Sequence, residues 1–185
     1  GRGALHTELR IIDDAGEDVK PGASGELLLR GPNLFQKYWK DCSASEEAFE
    51  TDWFCTGDIG YRDERGYVFI NDRKTDVVIS GGENIYPAEL EQVLDRIDGI
   101  AESSVVGATD DKWGEIPVAV VVINKKSTIT AEEILSAFDG RLARYKHPRA
   151  VSFVSALPRN VMGKVLKHEL RRAVENGTIP LSERC

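Results

Sequence analysis

The sequence of 185 residues lacks the features that define several large classes of protein. Its three cysteines, Cys42, Cys55 and Cys185, are far apart and have no close Cys or His partners; this argues against a zinc site and predicts reduced cytosolic thiols. The longest apolar run, residues 118–123, is far shorter than the roughly 20 residues of a membrane helix. Because no basic stretch is followed by an apolar one at the N-terminus, we expect no signal peptide and a cytoplasmic location.

Basic residues are fewer than acidic ones and unevenly distributed. The 24 Lys and Arg residues face 31 Asp and Glu residues, a net charge of −7, and this total disfavours a nucleic-acid partner. Residues 1–72 contain 8 basic and 15 acidic side chains, whereas residues 73–185 contain 16 of each. Within the second part, residues 141–172 contain nine basic side chains and one acidic one. This stretch predicts a basic surface, either a solvated face or a site for an anionic ligand.

Short strands bounded by turns dominate the first part of the chain. Residues 5–12 and 25–30 have strand character, and the Asp-Glu-Arg-Gly sequence at 63–66 indicates a hairpin turn. Residues 43–49 predict a short helix with Ser43 as N-cap and Glu46 completing a capping box. A charged cluster then coincides with the change in charge balance, so we place a domain boundary between residues 72 and 73.

The second part alternates strands with amphipathic helices. Its predicted order is β-α-β-β-α-β-α. The strands are predicted at residues 77–80, 103–106, 116–123 and 151–154. The helices are predicted at residues 87–97, after an N-cap at Thr130 with Glu133, and at residues 165–174. The fold class predicted is therefore α+β: a β-rich first part, then a compact domain with a three-stranded sheet and flanking helices.

Three loops contain residues suited to chemistry, and each also has an ordinary structural interpretation. Gly81 and Gly82 either let a ligand approach the backbone closely or simply form a tight turn. Lys164 either places a charge on a phosphate or is a solvated lysine; its surroundings do not match a nucleotide-triphosphate loop. Asp58 either accepts hydrogen bonds from a sugar diol or caps a turn. The scattered histidines indicate no catalytic triad.

Taken in order, these loops resemble one family closely, the adenylate-forming enzymes, which include acyl-CoA synthetases, peptide-synthetase adenylation domains and firefly luciferase. The resemblance covers about residues 1–175 and matches the C-terminal third of the family. The matching segments are Gly-Glu-Leu at 25–27, Gly-Pro at 31–32, Tyr-Trp at 38–39, Trp-Phe-Cys-Thr-Gly-Asp at 53–58, Gly-Tyr at 66–67, Asp-Arg at 72–73, Ser-Gly-Gly-Glu-Asn-Ile-Tyr-Pro-Ala-Glu-Leu-Glu at 80–91 and Pro-Arg-Asn-Val-Met-Gly-Lys at 158–164.

The resemblance implies an AMP-forming ligase that joins a carboxylic acid, expected to be a fatty acid, to ATP and then to the thiol of coenzyme A. It implies that Asp58, Arg73 and Ile70 bind the nucleotide and that Lys164 catalyses adenylation by stabilising charge at the α-phosphate. It also implies that residues 73–185 form a mobile domain, rotating about Thr75, where other members commonly have Lys or Asp.

The same resemblance implies a coenzyme A site in residues 73–185. Gly81 and Gly82 would line the pantetheine tunnel, Trp113 would pack near coenzyme A, and Lys146 and Arg149 would hold its phosphates. His147 stands where some members have an arginine for a coenzyme A phosphate, which weakens that contact near neutral pH. The glycine-loop sequence favours an acyl- or aryl-CoA synthetase over a peptide-synthetase domain.

The resemblance further implies that this chain is an inactive fragment, the tail of a large domain followed by the whole mobile domain. The triphosphate loop, the glutamate that holds Mg²⁺ and the acyl pocket would belong to a missing N-terminal domain of the same polypeptide, and no metal ligand is expected in these residues. The expected partners are small-molecule substrates, with no membrane span. Two alternatives are a stand-alone module that binds coenzyme A or a protein, and an adenylation domain that loads a carrier protein.

Overall fold

The computed structural model describes residues 1–183, so the predicted thiol of Cys185 lies outside the described residues. The chain divides into a first unit, Gly1–Thr75, and a second unit that begins at Asp76. This division falls three residues after the boundary predicted from the charge pattern. The shift arises because the last strand of the first unit continues through Arg73 and a 3₁₀ turn, Lys74–Asp76, follows it directly.

The first unit is an antiparallel sheet of five strands with one short helix. The strands are β1 (Glu8–Ile12), β2 (Ser24–Arg30), β3 (Phe49–Glu50), β4 (Trp53–Arg62) and β5 (Val68–Arg73), and α1 is Cys42–Ala48. The sheet order is β1-β2-β4-β3, and β5 pairs with β4. The consecutive apolar side chains Ile11 and Ile12 of β1 and Leu27 and Leu28 of β2 are all buried.

The turn between β4 and β5 confirms the hairpin predicted at residues 63–66. The Gly66 N–H donates to the carbonyl oxygen of Asp63 at 3.0 Å, and Gly66 has a φ of +81°, a conformation that favours glycine. The Asp63 carboxylate accepts hydrogen bonds from the backbone N–H groups of Arg65 and Tyr67.

The cap predicted for α1 is wrong. The N-cap is Asp41, whose carboxylate accepts a hydrogen bond from the Ala44 N–H at 3.0 Å. Ser43 lies inside the helix, where its hydroxyl donates to Glu47 at 3.3 Å. A carboxylate one residue before the helix is at least as good an N-cap as a serine hydroxyl, and it starts the helix two residues earlier than a Ser43 cap would.

Over residues 76–183, the second unit is a six-stranded sheet with three α-helices and a 3₁₀ turn, Arg144–Lys146. Its strands are β6 (Val78–Ser80), β7 (Glu83–Ile85), β8 (Ile100–Asp110), β9 (Gly114–Ile123), β10 (Ala150–Phe153) and β11 (Ser182–Glu183). The helices are α2 (Pro87–Leu94), α3 (Ala131–Ser136) and α4 (Lys167–Glu175). The α+β class is confirmed, and the strands predicted at 77–80, 103–106, 116–123 and 151–154 correspond to β6, β8, β9 and β10. The sheet has six strands rather than the predicted three, because β6 and the short strands β7 and β11 also pair into it.

Strand β9 organises the second unit. It pairs with β8 antiparallel along almost its whole length, with β10 in parallel, and with β6 through Ser80 and Gly114. Two buried clusters result. One contains Leu90 of α2, Ile134 of α3 and Phe138, which follows α3, and the other contains Leu170 and Val174 of α4. The two clusters take alternate residues of β8, β9 and β10, so both faces of the sheet are covered.

The helix ends follow local capping chemistry. Pro87 occupies the first turn of α2, and the Thr130–Glu133 capping box predicted for α3 is confirmed with both reciprocal hydrogen bonds. Those hydrogen bonds hold the pKa of the Glu133 carboxyl below its usual value. α2 ends at Leu94, three residues before the predicted end at residue 97. Within residues 1–183, none of the helices is both long and apolar enough to cross a membrane.

Candidate functional sites

Asp58 and Arg73 form an ion pair across two neighbouring strands. They are register partners on β4 and β5, and Arg73 Nε lies 3.0 Å from Asp58 Oδ1. Arg73 Nη1 also donates to the carbonyl oxygen of Thr56 at 3.1 Å. Asp58 is more buried than Arg73, with 27% of its side chain exposed against 59%. The pairing places a carboxylate and a guanidinium side by side on the sheet.

The Thr-Gly-Asp segment is part of strand β4, so Asp58 lies within a strand rather than in a turn. Gly57 has a φ of +70°, which bends the strand locally. The Thr56 hydroxyl donates to the Leu27 carbonyl at 2.8 Å and accepts the Asp58 N–H at 3.0 Å, so it ties this bend to β2. Ile70 lies on the paired strand β5 and is 63% exposed, available for contact with a ligand.

The residues before the predicted hinge are anchored to the first unit. Lys74 Nζ donates to Glu26 Oε2 at 2.7 Å, and this hydrogen bond raises the pKa of the Lys74 ammonium above its ordinary value. Thr75 follows inside the 3₁₀ turn at the division between the units. Nearby, burial raises the pKa of the Cys55 thiol, which argues against a reactive thiolate at this position.

Gly81 and Gly82 are the two central residues of a tight hairpin turn. Ser80 of β6 pairs with Glu83 of β7, and the two glycines have φ values of +60° and +86°, both positive as an I′ turn requires. The sequence prediction placed this loop directly before a helix; instead, β7 separates it from α2. The tight-turn interpretation is therefore correct for the backbone conformation, and no helix N-terminus faces these glycines.

Trp113 adds a second reason for glycine at one of these positions. A Cβ atom on Gly81 would lie 2.9 Å from Trp113 Cε3, while a Cβ on Gly82 would meet nothing within 4 Å. The Gly81 N–H donates to the Trp113 carbonyl at 2.8 Å. Arg149 lies over the same indole, 5.2 Å from its centroid. The structure thus brings together Gly81, Trp113 and Arg149, three residues that are far apart in the sequence.

The side chains of Lys146 and His147, the other basic candidates, are bound to groups of the protein itself. Lys146 Nζ donates to Glu89 Oε2 at 2.7 Å, so its charge is already paired with α2. His147 is buried, and its Nε2 lies 3.0 Å from the Leu142 carbonyl oxygen. The imidazole is therefore largely enclosed by the protein, and its expected position at a coenzyme A phosphate stays a prediction.

Lys164 lies on an exposed loop between β10 and α4, here called the lysine loop, residues 159–164. Its backbone is closed by Asn160, whose amide oxygen accepts the N–H groups of Met162 at 3.0 Å and Lys164 at 2.9 Å. Within residues 1–183, the Lys164 ammonium has no ion-pair partner. Val161 and Met162, at the tip of the loop, are also fully or largely exposed.

Several residues of these loops were not identified from the sequence. Arg159 donates to Gly163 and to Glu102, and Glu115 Oε2 accepts the Ile79 N–H of strand β6 at 3.0 Å. A short-range pattern contains no signal for such pairs, because Arg159 and Glu102 are 57 positions apart. Within residues 1–183, no group of three or more His, Cys, Asp or Glu side chains is placed to hold a metal ion.

Comparison with known proteins points to one group. Residues 89–164 match the family model described as the AMP-binding enzyme C-terminal domain. The chain is 49% identical over 178 residues to indoleacetate–CoA ligase of Aromatoleum aromaticum and 46% identical over 175 residues to 2-succinylbenzoate–CoA ligase of Bacillus cereus. These matches cover 96% and 95% of this chain.

A solved structure agrees with these relatives. The chain is similar to the crystal structure of ATP-bound MatB from Rhodopseudomonas palustris, with a TM-score of 0.87 and 40% sequence identity over 95% of this chain. The chain spans about a third of the length of the proteins it matches: 35% of the indoleacetate–CoA ligase, 36% of the 2-succinylbenzoate–CoA ligase and 35% of MatB. The names of these relatives do not support the expectation of a fatty acid as the specific substrate.

Proposed function

The chain belongs to the adenylate-forming superfamily and contains its AMP-binding C-terminal domain, and from that premise we propose that it is the C-terminal part of an AMP-forming acid–CoA ligase. In the first half-reaction a carboxylate attacks the α-phosphate of ATP, giving an acyl-adenylate and pyrophosphate. In the second, the coenzyme A thiol attacks the acyl carbon, giving the thioester and AMP. The remaining two thirds of the ligase, with the Mg²⁺ ligand and the acid pocket, precede this chain in the proposal.

The exposed, unpaired ammonium of Lys164 is the observation that carries the proposal. It projects from a loop whose backbone is held by hydrogen bonds, so the charge is available while the Cα position is restrained. A positive charge placed where negative charge develops stabilises the transition state of adenylation, by about 3 kcal/mol in comparable oxyanion sites. We therefore assign Lys164 to the first half-reaction.

Asp58 and Arg73 are proposed to bind the nucleotide. Arg73 Nε lies 3.0 Å from Asp58 Oδ1, and this contact fixes the carboxylate. The second oxygen, Oδ2, is left to accept a hydrogen bond from a ribose hydroxyl. Because the two residues are paired across β4 and β5, their separation is set by the strand ladder rather than by a loop. The exposed Ile70 on β5 supplies an apolar contact in this proposal.

Gly81, Trp113 and Arg149 are proposed to serve the second half-reaction. The glycines of the hairpin turn have no side chain where a thin pantetheine arm would pass, and the Trp113 ring lies against Gly81. Arg149 places a cation beside the indole, where it would bind a coenzyme A phosphate. Gly82 contributes the second positive φ of the turn. Lys146 is a weaker candidate for phosphate than Arg149, because Glu89 already neutralises it.

Carboxylic acids as a class are the proposed acyl substrates. The reported relatives are named for indoleacetate and 2-succinylbenzoate, both acids with an aromatic ring, so an aryl-containing acid has more support than a fatty acid. These relatives give no support to a stand-alone binding module or to a domain that loads a carrier protein.

The substitution Lys164→Ala in the full-length polypeptide tests this function. We expect ATP–pyrophosphate exchange to fall by at least about 100-fold, the loss typical of one removed oxyanion donor. Thioester formation from a preformed acyl-adenylate should keep its wild-type rate. The matched control is Lys126→Ala, which removes another exposed lysine of the second unit. Equal loss in both half-reactions, or unchanged exchange, would contradict the assignment.

A further inference from the structure

The peptide group that joins Gly163 to Lys164 is hydrogen-bonded at both ends. Arg159 Nη1 donates to the Gly163 carbonyl oxygen at 2.6 Å, and the Lys164 N–H donates to the Asn160 amide oxygen at 2.9 Å. The backbone of Lys164 is therefore restrained immediately before its side chain begins. Gly163 itself has a φ of +83°, so this peptide is also set in a conformation that glycine adopts easily.

Arg159 connects the lysine loop to the sheet. Its second terminal nitrogen, Nη2, donates to Glu102 Oε2 on β8 at 2.6 Å. The Asn160 bonds stay within the loop, so they set its shape but not its direction. Among residues 1–183, the Arg159–Glu102 contact is the side-chain hydrogen bond that joins residues 159–164 to a strand of the sheet.

Glu102 is aimed by an irregularity of its strand. The pairing of β8 with β9 shifts register between Ile100 and Glu102, the signature of a β-bulge. Bulges redirect the side chains that follow them. Directly after this irregularity, the Glu102 carboxylate accepts the hydrogen bond from Arg159 Nη2.

We propose that Glu102 and Arg159 form a clamp that positions Lys164 for adenylation, an inference that rests on the proposed function of Lys164. Arg159 is a positioning residue: its planar guanidinium donates in two fixed directions, one to the sheet and one to the carbonyl that precedes Lys164. A lysine at 159 has a single ammonium and cannot reproduce this two-armed geometry.

Loss of the clamp is expected to affect the catalytic rate much more than the stability of the unit. Arg159 and Glu102 are exposed over 44% and 42% of their side chains, and solvent-exposed ion pairs contribute little to global stability. Catalysis is far more sensitive to position, since a misplacement of about 1 Å costs about 100-fold in rate. The pair therefore matters for the direction of Lys164 and not for the folding of the unit.

The first experiment measures loop order in this 185-residue chain. We expect Glu102→Ala and Arg159→Lys to lower the ¹⁵N heteronuclear NOE of the Gly163 and Lys164 amides, while the denaturant midpoint stays at the wild-type value. Glu175→Ala, which removes an exposed carboxylate at the end of α4, is the matched control and should change neither quantity. Unchanged NOE values in both clamp variants would overturn the proposal.

The second experiment measures the two half-reactions in the full-length polypeptide. Glu102→Ala and Arg159→Lys should each lower kcat for adenylation by about 10-fold with an unchanged KM for ATP, a partial misplacement on the scale above. Thioester formation from a preformed acyl-adenylate should not change. Glu102→Gln keeps an oxygen acceptor for Arg159 and should restore most of the adenylation rate.

The outcomes separate the clamp from the function on which it rests. If Lys164→Ala leaves adenylation intact, the proposed function of Lys164 fails. If Lys164→Ala abolishes adenylation but Glu102→Ala and Arg159→Lys adenylate at the wild-type rate, the clamp alone fails. Equal slowing of both half-reactions by the clamp variants would also overturn the clamp, because it would indicate a general structural role.

Discussion

The glycine hairpin, residues 80–83, and the lysine loop, residues 159–164, belong to the same unit but are held in shape by different contacts. The hairpin continues a strand ladder, and its proposed function depends on backbone and on missing side chains. The lysine loop is closed by side-chain bonds from Asn160 and Arg159, and its proposed function depends on one ammonium group. The first loop is thus specified by strand pairing, whereas the second combines backbone hydrogen bonds between Asn160, Gly163 and Lys164 with bonds from its own side chains.

Glycine is required for different physical reasons in the two loops. A Cβ at Gly81 would lie 2.9 Å from the Trp113 ring, whereas Gly82 and Gly163 have nothing within 4 Å of that position. All three have positive φ values. Gly81 is therefore required by both conformation and space, while Gly82 and Gly163 are required by conformation only. This difference can be measured on the chain itself, without a substrate.

The largest effect is expected for Gly81→Ala. The added Cβ meets left-handed strain and a close ring contact, so we expect a loss of about 3 kcal/mol in the free energy of unfolding of the second unit. The measurement is amide hydrogen exchange of Val120, a fully buried residue of β9 that exchanges through opening of the whole sheet.

Gly82→Ala is the matched control for that substitution. It introduces the same left-handed strain without a neighbouring atom, so its expected cost is about 1 kcal/mol. If the two alanine variants are equally destabilised, Trp113 does not constrain Gly81, and the steric distinction between the loops is lost.

Trp113→Ala should have an intermediate effect. The indole is 37% exposed, so its removal is expected to cost about 2 kcal/mol, less than truncation of a fully buried tryptophan. In this background Gly81→Ala should cost only the conformational strain of about 1 kcal/mol, and a double-mutant cycle followed by Val120 exchange measures the difference. Strict additivity of the two substitutions would show that the ring and the turn are not coupled.

The smallest effect on the stability of the second unit is expected for Asn160→Ala in the lysine loop. Two backbone N–H groups lose their acceptor but remain accessible to water, so exchange of the Met162 and Lys164 amides should accelerate by about 5–10-fold, corresponding to about 1 kcal/mol. Val120 exchange should not change. The conservative Asn160→Asp substitution keeps the oxygen that accepts both N–H groups and should restore slow exchange. A simultaneous change at Val120 would mean that the loop stabilises the whole unit.

Short-range features of the fold were predictable because their causes lie within a few residues. The Thr130–Glu133 capping box and the Gly66 turn follow from side chains next to the backbone groups they satisfy. The same locality explains the error at α1, where Asp41 and Ser43 compete as N-caps only two positions apart. Strands β7 and β11 were missed because, at three and two residues, neither is long enough to show a period.

The residues of the candidate sites could be predicted from the sequence, but the contacts between them could not. The order of the motifs identified Asp58, Arg73, Gly81, Trp113 and Lys164 through a family resemblance. No local pattern indicated that Lys146 is neutralised by Glu89, 57 positions away, or that the His147 imidazole is buried against Leu142. Both facts change which basic side chains are available to a phosphate, and they leave Arg149 beside Trp113 as the favoured cation.

By itself, the sequence determined the α+β class, the local caps and turns, the uneven charge and the set of polar residues capable of this chemistry, because each depends on side-chain type and short-range backbone preference. Only the tertiary structure decided which of those residues meet. The steric need for Gly81 and the bridge from Glu102 through Arg159 to the lysine loop both arise from contacts across the sheet. Such contacts depend on strand register and packing, which couple residues that are distant in the chain and carry no local signal.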